Sequence, residues 1–328
     1  MEKSSRIYVA GHRGLVGSAI VRALKQQGHQ NLLLRTHPEL DLTDAPTVQT
    51  FFEREKPEYV FLAAAKVGGI LANDTYPADF IRENMQIQTS VIDASYRSGV
   101  KRLLFLGSSC IFPKLAPQPI KEEYLLTGPL EPTNRPYALA KIAGIEMCWS
   151  YNRQYGTRYF AAMPANLYGP DDNFDLQASH VLPALMRKIV EAKRLGEKRL
   201  NVWGTGRPRR EFLYSDDLAE ACLHLLNLPD HTFDSLITSD QAPLINIGTG
   251  QDLTIRELAE LLARILEFDG ELTFDAARQD GTPQKLLDVS RIHRLGWKAK
   301  VSLEDGIRRT YASLGSRLES ASFSSDTR

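Results

Sequence analysis

The chain opens with a short apolar run, RIYVA (6–10), that leads straight into GHRGLVG, with glycines at Gly11, Gly14 and Gly17. The run reads as a buried strand, and the amphipathic stretch from about Leu15 to Gln27 reads as a helix. A strand that passes so quickly into a helix needs glycine where φ turns positive and where the backbone must approach another group closely. The helix then aims its first amides and its dipole at whatever lies above the strand, an arrangement that suits a phosphate. A simple tight turn needs one glycine; three at this spacing between a strand and a helix point to a dinucleotide.

The following segments keep the same alternation. NLLLR (31–35), YVFLAAA (59–65), RLLFLGS (102–108) and RYFAAMPAN (158–166) read as strands. Helices are expected around TVQTFFERE (47–55), from about Asp79 to Ser98 with Gly99 closing it, and from about Tyr137 to Tyr155. Near-continuous apolar strands separated by helices predict an α/β fold, a Rossmann-type doubly wound parallel sheet with ligands beyond its carboxyl ends. After Tyr168-Gly169-Pro170 the pattern shifts. A helix is expected at about 178–195, then a short strand RLNVWG (199–204), a loop TGRPRREF (205–212) and a helix from Asp216 to Leu228. LINIG (244–248) reads as a strand that returns to the sheet, and shorter mixed pieces follow at about 254–267, 271–275, 286–296 and 302–314. The division expected is a dinucleotide-binding domain over 1–170 plus about 213–250. A smaller interleaved C-terminal α/β lobe for substrate would take about 171–212 and 251–316, and 317–328 would be a disordered tail.

Composition narrows the partners. The 328 residues carry 40 basic and 40 acidic side chains, so no global field favours nucleic acid or an anionic membrane. YVFLAAA is broken by Lys66, no apolar run reaches spanning length, and the first residues lack a secretory pattern. Cys110, Cys148 and Cys222 stand too far apart for a CxxC motif. No metal site is expected, and a reducing, cytoplasmic setting fits.

Two features choose between dinucleotides. A carboxylate at the end of the second strand would bind a ribose 2′-hydroxyl, but Arg35 stands there, and Arg13 sits inside the glycine loop. Two guanidiniums suit a 2′-phosphate, which predicts NADP, with Asp41 of DLTD (41–44) placed for the adenine amino group. Arg35 could also be a solvated charge at a strand end.

PYALAK (136–141) sets Tyr137 and Lys141 one helical turn apart on one face. A nearby ammonium favours a phenolate, and Ser108, just past the fourth strand, can polarise the same carbonyl. GSSCIFP (107–113) puts Cys110 two residues beyond that serine, on the same side if the backbone stays extended. A thiol there is either a small buried hydrophobe or an acid–base group near neutrality. Cys148 and Cys222 lie on apolar helix faces and read as core.

Several stretches, AGHRGLVGSAI (10–20), FLGSSCIFPK (105–114), EPTNRPYALAKIAGIEMC (131–148), REFLYSDD (210–217) and DGTPQKLLDV (280–289) among them, resemble the extended short-chain dehydrogenase/reductases, on the branch of GDP-sugar epimerase/reductases. The resemblance implies NADPH-dependent chemistry on GDP-4-keto-6-deoxy-D-mannose, with epimerisation of carbons 3 and 5 followed by reduction of the ketone. It implies a reductive triad of Ser108, Tyr137 and Lys141, and an epimerisation pair of Cys110 and His180. Dinucleotide contacts would fall on Gly11, His12, Arg13, Gly14, Leu15, Val16 and Gly17, on Leu106, Gly107, Ser108 and Ser109, on Pro164, Ala165, Asn166 and Leu167, and on Lys141 and His180. Substrate contacts would come from Trp203, Arg210, Asp280 and one of Arg187 and Lys188, the choice between these two staying open. A homodimer through the helices near 79–98 and 137–155 is also implied. Related dehydratases carry an Asp-Glu pair just after the serine, where this chain has Ser109-Cys110, and simple 4-epimerases need no second acid–base pair. Another nucleotide-sugar epimerase or reductase, or a non-catalytic NADP sensor, remain as alternatives, as does either of Cys110 and His180 as the base.

Overall fold

The computed structural model describes residues 1–176, 179–238, 240–277 and 280–323. The first half builds β1 (Ile7–Ala10), α1 (Leu15–Gln26), β2 (Leu32–Leu33), α2 (Ala45–Glu55), β3 (Tyr59–Leu62), α3 (Ile70–Thr75), α4 (Pro77–Arg97), β4 (Arg102–Leu106), α5 (Arg135–Tyr155) and β5 (Tyr159–Pro164). Together with β9 (Leu244–Ile247), the strands form one parallel sheet in the order β2-β1-β3-β4-β5-β9. All residues of β1, β4, β5 and β9 are buried, as their unbroken apolar runs require when helices cover both faces. LINIG does return to the sheet, where it pairs with β5. The order reverses at β1, with β2 on one side and β3 on the other, so the crevice beyond β1 and β3 is the switch point where such sheets take their ligands.

The second half adds β6 (Asn166–Tyr168), α6 (Val181–Leu195), β7 (Arg199–Trp203), β8 (Arg209–Tyr214), α7 (Ser215–Leu226), α8 (Asp230–Ile237), β10 (Asp252–Thr254), α9 (Ile255–Ile265), β11 (Glu271–Asp275), β12 (Gln284–Lys285), α10 (Ser290–Arg294) and α11 (Leu303–Phe323). β8 pairs with β10, β12 and β6, and β7 pairs with β11. Two apolar cores result. One fills both faces of the large sheet; the other gathers Tyr168, Leu182, Leu185, Met186, Phe212, Tyr214, Leu258 and Leu262 between α6, α9 and the small sheet.

The structure departs from expectation in three places. TGRPRREF is a strand from Arg209 onward rather than a loop, because Arg209 pairs with Asp252 at 2.9 Å and Glu211 is buried against backbone amides. Within 251–316, Leu287, Val289, Ile292 and Trp297 pack into the large core, so the lobes interleave more than expected. Residues 317–323 continue α11, which runs on from Ile307, Thr310 and Leu314 at helical spacing, while the rest of the tail expected to be disordered, 324–328, lies outside the described residues.

Candidate active site

The glycine loop sits at the switch point. Gly11 takes φ +81°, and a Cβ there would meet the Ala64 backbone at 2.8 Å, just past β3. A Cβ on Gly17 would lie 2.1 Å from the Gly11 carbonyl oxygen, so α1 can start this close to the turn only with glycine. The open ring of Gly11, Gly14 and the first turn of α1, with Arg13 exposed beside it, fits a dinucleotide pyrophosphate. His12, Leu15 and Val16 are half-buried within the same loop and turn. Arg35 lies two residues beyond the short β2, where it pairs with Glu55 at 3.0 Å and lies over the Phe51 ring. With Leu40, Phe51 and Arg54 it lines a cavity of about 260 Å³. Asp41 accepts from the Thr43 amide and hydroxyl, which hold its carboxyl below the usual carboxylate range.

Beyond β4, Gly107 and Ser108 lead into a 3-10 turn, Ser109–Ile111. The backbone therefore does not stay extended, as expected above; it curls so that the Cys110 amide donates to Ser108 Oγ at 3.4 Å. The turn still brings the thiol to the serine. Burial pushes the Cys110 thiol up, while the Lys285 ammonium, the Ser108 hydroxyl and Lys141 oppose that rise. Tyr137 enters from the first turns of α5, its ring edge against Phe80 at 6.2 Å. Burial raises its phenol well above the ordinary value, Cys110 adds to the rise, and the bond to Ser108 works against it. Lys141 donates to the Leu106 carbonyl at 2.7 Å and lies 5.8 Å from the Tyr137 ring centroid. Desolvation lowers its pKa to about 8.

The other wall comes from the smaller lobe. His180 stands at the N-cap position of α6 without a side-chain capping bond and is exposed, yet the protein mass around its ring and then Lys285 hold its pKa below the usual value. Lys188 lies over Trp203 at 4.5 Å, whereas Arg187 pairs along its own helix with Glu191. Arg210 stands on β8 under the influence of Asp280 and Glu131. Asp280 accepts from the Thr205 amide and hydroxyl at 3.0 and 2.6 Å, holding the turn after Trp203. Pro164 ends β5, Ala165 donates to Ile247, and Asn166 donates to the Glu211 carbonyl at 2.8 Å, with Leu167 beside it in β6. Leu106 and Ser109 are buried at the carboxyl end of β4.

Two residues that sequence reasoning did not single out join this group. Lys285 acts on Cys110, on His180 and on Arg210, and Glu131 acts on Lys285 while pairing with Lys114 at 2.9 Å. Both lie in stretches quoted above, EPTNRPY and DGTPQK, which are polar and carry no periodicity that would have set either residue apart.

Residues 7–237 match the NAD dependent epimerase/dehydratase family. A GDP-L-fucose synthase 1 of Arabidopsis thaliana is 59% identical over 94% of this chain and 93% of its own length. The GDP-L-fucose synthase of Escherichia coli is 55% identical over 93% and 95%. A solved GDP-mannoheptose C4 reductase from Campylobacter jejuni with NADP bound is 44% identical, covers 96% of this chain and 99% of its own, and superposes with a TM-score of 0.87. With that similarity running through both cores, the chain belongs to the NAD dependent epimerase/dehydratase family, on the branch that holds the GDP-L-fucose synthases.

Proposed function

We infer that this enzyme converts GDP-4-keto-6-deoxy-D-mannose to GDP-L-fucose, inverting the two carbons beside the ketone and then reducing it at the expense of NADPH. The observation that supports the reading is one buried cluster of Cys110, Ser108, Tyr137 and Lys141, with Lys285 acting on both Cys110 and His180. The reduced dinucleotide, held on the glycine loop with Arg13 and Arg35 toward its 2′-phosphate, supplies the hydride when bound. Ser108 and Tyr137 hold the ketone oxygen, and their hydrogen bonds stabilise the enolate that forms when an adjacent carbon loses its proton. Cys110 and His180 serve opposite faces of those carbons. Tyr137 later gives its proton to the oxygen, and the low pKa of Lys141 suits a group that restores it. Lys188, over the Trp203 ring, and Arg187, paired with Glu191 on the same helix, both stay candidates for the GDP moiety. The domain over 1–170 and 213–250 would hold the dinucleotide, the second core the sugar nucleotide, and α4 with α5 would join two copies.

The likeness to the Campylobacter reductase favours one other reading, a GDP-sugar 4-reductase without epimerisation. Turnover of GDP-4-keto-6-deoxymannose in deuterium oxide separates the two. Wild-type product should be GDP-L-fucose with deuterium at carbons 3 and 5, whereas Cys110→Ser should consume NADPH and release an uninverted alcohol. GDP-L-fucose released by Cys110→Ser at the wild-type rate would remove Cys110 from the chemistry; a wild-type product without deuterium would favour the plain reductase.

A further inference from the structure

β8 is a wall between the two cores. Neighbouring residues on a strand point to opposite faces, and here Leu213 packs into the large core while Phe212 and Tyr214 pack into the second. By the same alternation Glu211 lies on the face of the large core and Arg210 on the other. Glu211 is fully buried, a place where a carboxylate is costly unless its oxygens are satisfied. Three backbone amides satisfy them. Oε1 accepts from Thr249 at 2.6 Å and Gly250 at 2.7 Å, in the turn that follows β9, and Oε2 accepts from Leu287, just past β12, at 2.9 Å. The turn is shaped around the carboxylate: Gly250 takes φ +74°, and a Cβ on Gly248 would lie 2.2 Å from Oε1. The Glu211 carbonyl in turn accepts from Asn166 at 2.8 Å, just beyond the exit of β5. One residue of β8 is thus bonded to the chain leaving two strands of the large sheet and to the chain leaving β12.

We propose that Glu211 is a positioning residue for the sugar nucleotide: its carboxylate locks β8 to the large sheet and so fixes where Arg210, on the other face of the same strand, stands. The inference rests on the GDP-sugar reading, in which Arg210 is a substrate contact. The Arg210 guanidinium donates to the Arg209 carbonyl at 2.8 Å, on its own strand, so its place follows from the place of β8. Arg209 and Gln284 both donate to Asp252, at 2.9 and 2.7 Å, which ties the same end of β8 to β10 and β12. A glutamine at 211 has nearly the same shape and could still accept from the Thr249 and Gly250 amides. Its NH2 group would then face the Leu287 amide, donor against donor. The chain after β12 would have to draw away, and Lys285 of that strand stands in register with Arg210. Glu211 carries no proton in the reaction; it acts through the arginine beside it.

The test is the affinity of the full chain for GDP-L-fucose and for NADPH, each measured by calorimetry. Glu211→Gln should bind GDP-L-fucose about tenfold more weakly, the weight of one misplaced charge-assisted bond, and NADPH within about twofold of wild type. Glu211→Asp keeps the charge but shortens its reach; it should show the same loss, and it stands in if the glutamine variant does not fold. Leu213→Val, on the same strand and face, should lower the melting temperature and leave both affinities alone, so lost packing and lost position give different results. In an Arg210→Ala background, Glu211→Gln should cost no further affinity, because the residue it positions is gone. Wild-type affinity for GDP-L-fucose in the Glu211 variants overturns the proposal, as do additive losses in the double variant or an equal weakening of NADPH. A wild-type protein that does not bind GDP-L-fucose would sink the GDP-sugar reading and the proposal with it. Binding by the wild type beside an unaffected Glu211→Gln would sink the proposal alone.

Discussion

The ammonium of Lys141 donates to the carbonyl oxygen of Leu106, so the end of β4 and the second turn of α5 are joined directly beneath the site. That bond, rather than a contact with the Tyr137 hydroxyl, is what fixes the lysine. Its charge is costly there. The pKa in the folded protein, about 8, lies below the ordinary 10.5, so the unfolded chain binds more protons between those values. Stability from this group is lowest below about pH 8 and rises as pH climbs toward 10.5.

Lys141→Met should therefore unfold at higher urea than wild type at neutral pH, by up to about 3 kcal/mol, while NADPH oxidation falls at least a hundredfold. The stability gap should close between pH 8 and 10.5. A gap of constant size across that range would mean that packing, not the buried charge, separates the two proteins.

Gly14 and Gly17 should respond differently to alanine. A Cβ on Gly14 meets nothing nearer than the Gly11 oxygen at 3.6 Å, whereas on Gly17 it meets that oxygen at 2.1 Å and His12 Cα at 2.8 Å. Gly17→Ala should lose about 1–3 kcal/mol of stability in denaturant melts, as overpacked sites do. Gly14→Ala should fold normally and weaken NADPH binding measured by fluorescence. Equal melts for the two variants would refute this account of the loop.

Arg35→Asp should weaken NADPH at least tenfold and NADH less than threefold, since one charge-assisted bond to a phosphate is worth roughly 1.5–3 kcal/mol. Glu55→Gln removes the carboxylate that now holds Arg35 at 3.0 Å, and should leave NADPH binding at wild-type strength or stronger. Equal losses of NADPH and NADH in Arg35→Asp would point to a damaged fold rather than a lost phosphate contact.

The large sheet was legible because β1, β4, β5 and β9 are buried on both faces and carry apolar side chains almost without interruption. β8 was not, because Arg209, Arg210 and Glu211 look like loop residues until Asp252 and the amides of Thr249, Gly250 and Leu287 are seen to satisfy them. The turn at Ser109–Ile111 was equally hidden: nothing in GSSC separates an extended exit from a tight one. α3 and α8, of six and eight residues, are too short to show a full apolar stripe. Glycines, the Tyr137–Lys141 spacing and the cysteine could be picked out as local motifs. Lys285 could not, since its place depends on which residue of a distant strand lies opposite it.

The chain leaves the large core near Tyr168, returns through α7 and β9, crosses again into the second core with α9, comes back for Leu287 to Trp297, and leaves once more with α11. A recombination event with one breakpoint cannot exchange the second core of such a protein intact. A single splice between Tyr168 and Trp297 separates residues that share a core, so chimaeras joined there should lose stability relative to either parent.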